Sequence, residues 1–186
     1  MKYQLNGIKF ILFAIAILWL VEFINIFTGR ALESFGILPR QWSHAYGIFT
    51  APLIHGGLWH LLGNSIPLAI LAFLVHQTRN LLAVTFIVWL GSGLIVWLVG
   101  RHAYHIGASG LVLGYWGFLL ANGWINHSIK NILLSFVALF IYGGLFFSLI
   151  DFRGFISFEG HLAGFICGII AAYLVKENSK SSGESL

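Results

Sequence analysis

Charge is what this sequence has least of. Asp, Glu, Lys and Arg make up 9% of its 186 residues, where a soluble domain carries about 25%. So few charges cannot cover a water-facing surface, which argues against an ordinary soluble domain and for insertion in a membrane. Cysteine is nearly absent too. Cys167 stands alone in an apolar run, so no intramolecular disulfide can form and a cysteine-built metal site lacks ligands. The H-E-x-x-H zinc pattern does not occur, and no long repeat recurs. A net charge of +4 is too small to point to nucleic acid. Neither a metal nor another cofactor is expected.

What the chain does have is apolar length: 59% of its residues are hydrophobic. Six segments, near 8–28, 58–76, 81–99, 109–126, 131–149 and 160–176, approach the roughly 20 residues of a bilayer crossing. These segments predict an all-α membrane protein with one domain over 1–176 and a short polar tail, 177–186, expected to be disordered. The first segment holds Glu22 and lacks a small-residue cleavage site, so it reads as a retained helix rather than a signal peptide. Lys2, Lys9, Arg79, Lys130, Lys176 and Lys180 fall on the side of both termini. Arg30, Arg40, Arg101 and Arg153 lie opposite. That bias predicts cytoplasmic termini.

Two connections are unusually apolar. Between 29 and 57, Trp42, Tyr46, Phe49 and Leu53 recur at helical spacing. They describe either a hairpin partly sunk in one leaflet or an aromatic interfacial belt. Between 150 and 159, Phe152, Phe155 and Phe158 surround Gly154, as a lid over a cavity or as lipid contacts.

Parity brings the notable polar residues together. Segments two, four and six all start from the non-cytoplasmic side, and their first turns carry His60 with Asn64, Ser109, and His161. Polar groups at one depth in a bilayer face the protein interior or a wet cavity. His60 and Asn64 are four apart and share a helix face. Both can donate, which suits an oxyanion hole. The plainer reading is helix-to-helix bonding that stabilises by about 0.6–2 kcal/mol. Ser109 at a helix start adds backbone N–H groups and the positive end of a dipole.

Gly160, Gly164 and Gly168 line one face of the last segment. Gly110, Gly114 and Gly117 line the fourth. Such stripes allow close backbone approach, which would bring His161 within reach of Ser109 as base to nucleophile. Packing without chemistry is the alternative. Asp151 and Glu159 sit in the loop and Glu22 on another helix, so a two-residue dyad is expected rather than a triad. Glu22, the one formal charge well inside a segment, marks an ion path or bonds to neighbouring groups; the second reading is preferred. His55 is expected to brace the long first loop. His44, His76, His102, His105 and His127, near segment ends, are given no role.

Three of these stretches resemble the rhomboid family of intramembrane serine proteases, in its six-helix bacterial form. Gly107-Ala108-Ser109-Gly110 is similar to the family's G-x-S-G motif. The run from His55 through His60 to Asn64 is similar to its second-helix signature, and His161-Leu-Ala-Gly164 followed by Gly168 to its last-helix motif. The three occur in order, each at the head of the expected helix, and the resemblance covers nearly the whole chain. It implies a six-transmembrane-helix bundle with a long, partly membrane-embedded first loop, in a bacterial inner membrane. It implies Ser109 as nucleophile, His161 as general base, and an oxyanion hole from His60, Asn64 and the Ser109 backbone N–H. It implies a fifth loop capping the site, and substrates that are transmembrane segments of other proteins, met in the lipid. His55, Gly107, Gly110, Gly164 and Gly168 would support the site. Two positions depart from the pattern. Tyr46 and Gly47 stand where many members carry Trp-Arg ahead of the threonine matched by Thr50. Leu113 stands where many bacterial members place an aromatic residue against the histidine. An inactive, client-holding relative would lack Ser109 or His161, and both are present.

Overall fold

The computed structural model describes residues 2–150 and 157–175. Among these the chain forms eight α-helices: α1 (Lys2–Phe27), α2 (Gly47–Thr50), α3 (Leu58–Gln77), α4 (Leu81–Val99), α5 (Ser109–Asn126), α6 (Ile129–Tyr142), α7 (Leu145–Ser148) and α8 (Phe158–Leu174). No strand occurs among the described residues; an isolated antiparallel bridge joins Ile37 to His105. Helices α1, α3 and α4 are long and apolar enough to cross a membrane, and α6 and α8 are shorter apolar helices. The chain is a membrane protein. Phe152, Phe155 and the polar tail 177–186 lie outside the described residues.

The helix ends follow from local chemistry. Helix α1 stops where Gly29 and Arg30 turn to φ +63° and +69°. Gly57, at φ +141°, leads into α3 through a conformation that a side chain would strain. Arg40 donates to the carbonyl of Gly100 at 2.8 Å, filling an acceptor at the C-terminal end of α4. Ser128 and Ser157 cap α6 and α8 by accepting from the N–H groups of Asn131 and Gly160.

Helix α5 is the central post. It packs against α8, α6, α3 and α4 and buries Leu113, Tyr115, Phe118 and Leu119. The glycine stripes mesh as expected. A Cβ on Gly164 would run into the Gly110 carbonyl, and one on Gly168 into that of Gly114. One on Gly117 would meet the Phe165 carbonyl at 2.6 Å. Only glycine permits backbones this close.

Two expectations need adjustment. The fifth predicted segment, 131–149, is not one helix; it breaks at Gly143 and Gly144 into α6 and α7. Two adjacent glycines each weaken a helix by about 1 kcal/mol, and short i→i+3 bonds replace the ladder there, Phe146 to Gly143 and Phe147 to Gly144. The connection 29–57, whose aromatics recur at helical spacing, is mostly not helical in the α sense. It winds through 3₁₀ turns at Ala31–Phe35, Trp42–His44 and Ala51–Leu53, with α2 between the last two. Indole donors from α4 hold it: Trp89 to Ile48 at 3.1 Å and Trp97 to Gln41 at 3.2 Å. Ile48 lies over Gly93. Trp42, Tyr46 and Phe49 stay exposed.

Glu22 is fully buried and pairs with Arg30 at 2.8 Å, in keeping with the structural reading. Arg30 and Asn25 both donate to the His55 carbonyl, at 3.3 and 3.2 Å. The C-terminal end of α1 is thereby tied to the approach to α3.

Candidate active site

Ser109 is the first residue of α5 and is half-buried. The turn before it is fixed at three points. Gly107 takes φ +110°, its N–H donates to Ala51 at 2.9 Å, and the Ala108 N–H donates to His55 Nε2 at 3.3 Å. His55 thus braces the serine turn as well as the first loop. Because Nε2 accepts, the neutral ring carries its proton on Nδ1. Burial, helped by the neighbouring His60, holds the His55 pKa down to about 4, so the ring is uncharged at neutral pH.

His60 meets His55 edge-on, ring centroids 5.2 Å apart. The Gly56 N–H donates to His60 Nδ1 at 3.2 Å. That leaves the proton on Nε2 in the neutral ring, and a Cβ on Gly107 would lie 2.8 Å from that nitrogen. A ring donor therefore stands over the turn that leads to Ser109. Asn64 is buried on the same helix face. It donates through Nδ2 to the His60 carbonyl at 2.7 Å, the local bonding that was the plainer expectation. A carboxamide nitrogen has two hydrogens, so one bond does not exhaust it.

His161 lies in the first turn of α8, its N–H bonded to the Ser157 carbonyl at 3.1 Å. Its Nδ1 is 3.1 Å from the Ser148 carbonyl of α7. A carbonyl only accepts, so Nδ1 carries the proton and a neutral ring keeps its lone pair on Nε2. The heads of α5 and α8 touch: a Cβ on Gly110 would stand 3.4 Å from the Gly160 carbonyl. Gly110 follows Ser109 and Gly160 precedes His161. A cavity of about 40 Å³ opens here, lined by Ser109, Gly110, Ser92, Gly160 and Ser157, roomy and polar enough for water. The structure brings His55, His60, Asn64, Ser109 and His161 to one end of the bundle. Leu113, one turn into α5, is fully buried.

Phe158 is the first residue of α8, with the Arg101 guanidinium 5.8 Å from its ring. Glu159 pairs with Arg101 at 3.6 Å and accepts its backbone N–H at 3.2 Å. Sequence reasoning missed His105 and His76. His105 is buried and bonded at both ring nitrogens, and His76 packs over Gly7 of α1. Nothing local marked either one, because Ser157 and Gly7 lie far from them in the chain. A second cavity, apolar and about 220 Å³, lies among α1, α3, α4 and α5.

A family model described as the Rhomboid domain matches residues 41–178. An uncharacterized protein of Mycobacterium bovis is 37% identical over 176 residues, covering 89% of this chain and 73% of the relative. An uncharacterized protein of Mycobacterium leprae is 34% identical over 186 residues, covering 94% and 73%.

Proposed function

Because the chain belongs to the rhomboid family, we propose that it is an intramembrane serine endopeptidase that cuts transmembrane segments of other membrane proteins near their non-cytoplasmic end. Ser109 Oγ attacks the scissile carbonyl carbon while His161 Nε2 takes its proton. The oxyanion is met by the Ser109 N–H, the His60 Nε2–H and the remaining Asn64 N–H. The C–N bond then breaks, His161 gives the proton to the leaving amine, and water hydrolyses the acyl ester by the same base. A dyad suffices in this reading, since the Ser148 carbonyl sets the imidazole tautomer that a carboxylate sets in a triad.

The observation that carries the reading is the close approach of α8 to the head of α5, where a Cβ on Gly164 would run into the Gly110 carbonyl and one on Gly110 would stand 3.4 Å from the Gly160 carbonyl, with Ser109 next to Gly110 and His161 next to Gly160. In this reading α1, α3, α4, α5, α6 and α8 are six crossings with both termini cytoplasmic. The 29–57 connection sits partly in the outer leaflet of a bacterial inner membrane. Phe158, which the lid expectation placed in the loop, begins α8 beside Arg101 instead. Substrates unwind before cleavage, because a helix hides its carbonyls from attack. No cofactor takes part.

The test is cleavage of a model transmembrane substrate in liposomes by wild type, Ser109→Ala and His161→Ala, each checked for folding. Activity in wild type and loss in both variants is expected. Activity that survives in both would overturn the mechanism, and a folded but inactive wild type would favour the family's client-binding, non-catalytic role.

A further inference from the structure

In the wall of the same cavity, one buried side chain joins the segment before Ser109 to the segment before His161. His105 accepts from the Ser157 hydroxyl at Nδ1, 2.7 Å away, and donates from Nε2 to the Arg101 carbonyl at 3.0 Å. In the neutral ring that burial favours, the carbonyl fixes the direction of the chain: Nε2 carries the proton, Nδ1 accepts, and Ser157 donates. Ser157 Oγ in turn accepts the Gly160 N–H at 3.2 Å, so the hydroxyl that caps α8 is itself oriented by His105. The His105 backbone is clamped as well, exchanging N–H···O bonds with Ile37 at 2.9 and 3.0 Å. The flanking pair Arg101–Glu159 spans the same two segments.

The position in the chain gives the bond its meaning. His105 lies four residues before Ser109, and Ser157 four before His161. The His105–Ser157 bond therefore joins the strut leading to the nucleophile to the cap of the helix bearing the base. We propose that His105 is a positioning residue for the dyad, acting through Ser157 to set the Ser109–His161 separation. This rests on the proteolytic reading above. The geometry of a nucleophile and base is unforgiving: a displacement of about 1 Å, even from a remote substitution, can cost about 10²-fold in rate. Substrate binding is left alone, so kcat carries the effect and KM does not.

The experiment measures kcat and KM for a transmembrane model substrate, with the full chain in liposomes and thermal unfolding followed in parallel. The variants are His105→Ala, His105→Asn, Ser157→Ala, the double alanine variant and Ser109→Ala. Asparagine returns an acceptor where Nδ1 stood. The expected result is a fall in kcat of about 10- to 100-fold in both single alanine variants at unchanged KM. The double variant should be no worse than either, and His105→Asn should regain most of the rate. Ser157→Ala keeps the buried imidazole in place, so it reads the bond even if His105→Ala fails to fold. Wild-type kcat in folded Ser157→Ala, or losses in the two single variants that multiply in the double, would overturn the inference. Wild type no more active than Ser109→Ala would instead overturn the proteolytic reading beneath it, and the inference with it.

Discussion

Helices α8 and α6 both pack on α5, and they do so in opposite ways. Helix α8 meets it backbone to backbone, glycine carbonyl against glycine, and buries Ala163, Gly164, Cys167 and Gly168 along one face. Helix α6 buries only Ala138 and turns Ile129, Leu133, Phe136 and Phe140 outward. In a bilayer those side chains cost nothing when exposed, because lipid is as apolar as they are. The contrast separates two jobs. The glycine seam sets the heads of α5 and α8, which carry Ser109 and His161, against each other. The α6–α7 arm buries little of itself, yet it supplies the Ser148 carbonyl that orients the His161 ring.

The seam is the place to break that contrast hardest. Gly168→Val should destabilise the protein by about 3 kcal/mol or more, since the new side chain must displace a backbone carbonyl rather than a flexible chain end. Thermal unfolding and activity should fall together. A melting temperature within a degree or two of wild type would mean the seam is not tight.

Acid tests the braced turn beside the seam. His55 falls from its usual 6.5 to about 4 in the folded chain. Between those values the unfolded chain binds a proton that the folded chain refuses, so stability drops as pH falls from 6.5 toward 4 and levels off below. The full loss from this group is about 3 kcal/mol. Unfolding followed from pH 8 to 4 should be flat at first and then decline, with part of the slope gone in His55→Asn.

Glu22→Gln comes next. It leaves Arg30 without its buried partner, and a third of the Arg30 side chain is exposed. Solvent discounts the cost of the broken pair to about 2 kcal/mol, measurable as a lowered melting temperature with cleavage retained. Smallest of all, Phe140→Ala on the outward face of α6 should shift stability by less than about 0.5 kcal/mol. A large loss there would mean that protein, not lipid, covers that face.

The parts of this account that were legible in the sequence are those encoded locally. Hydrophobic length marked the helices that became α1, α3, α4, α5 and α8. Spacing of four put His60 beside Asn64, and the glycine stripes foretold the seam. What escaped is what depends on distant partners. His105 looked like any histidine near a helix end, since Ser157 is 52 residues away. Arg30 reads in sequence as a loop charge, and only the turn after α1 brings it back to Glu22. The 29–57 connection carries a helical spacing of aromatics, but the indoles of α4 and the turn at Thr50, whose hydroxyl bonds the Phe35 carbonyl at 2.6 Å, hold it in short turns. Helix α6 broke where two adjacent glycines outweighed a continuous apolar pattern.

The most direct measurement is covalent capture of the nucleophile. Folded protein would be treated with a small fluorophosphonate and the adduct mapped by mass spectrometry, in wild type beside His161→Ala. The account predicts a single adduct on Ser109 that forms in wild type and is lost when the base is removed. No adduct on Ser109, or one that forms equally fast without His161, would contradict it.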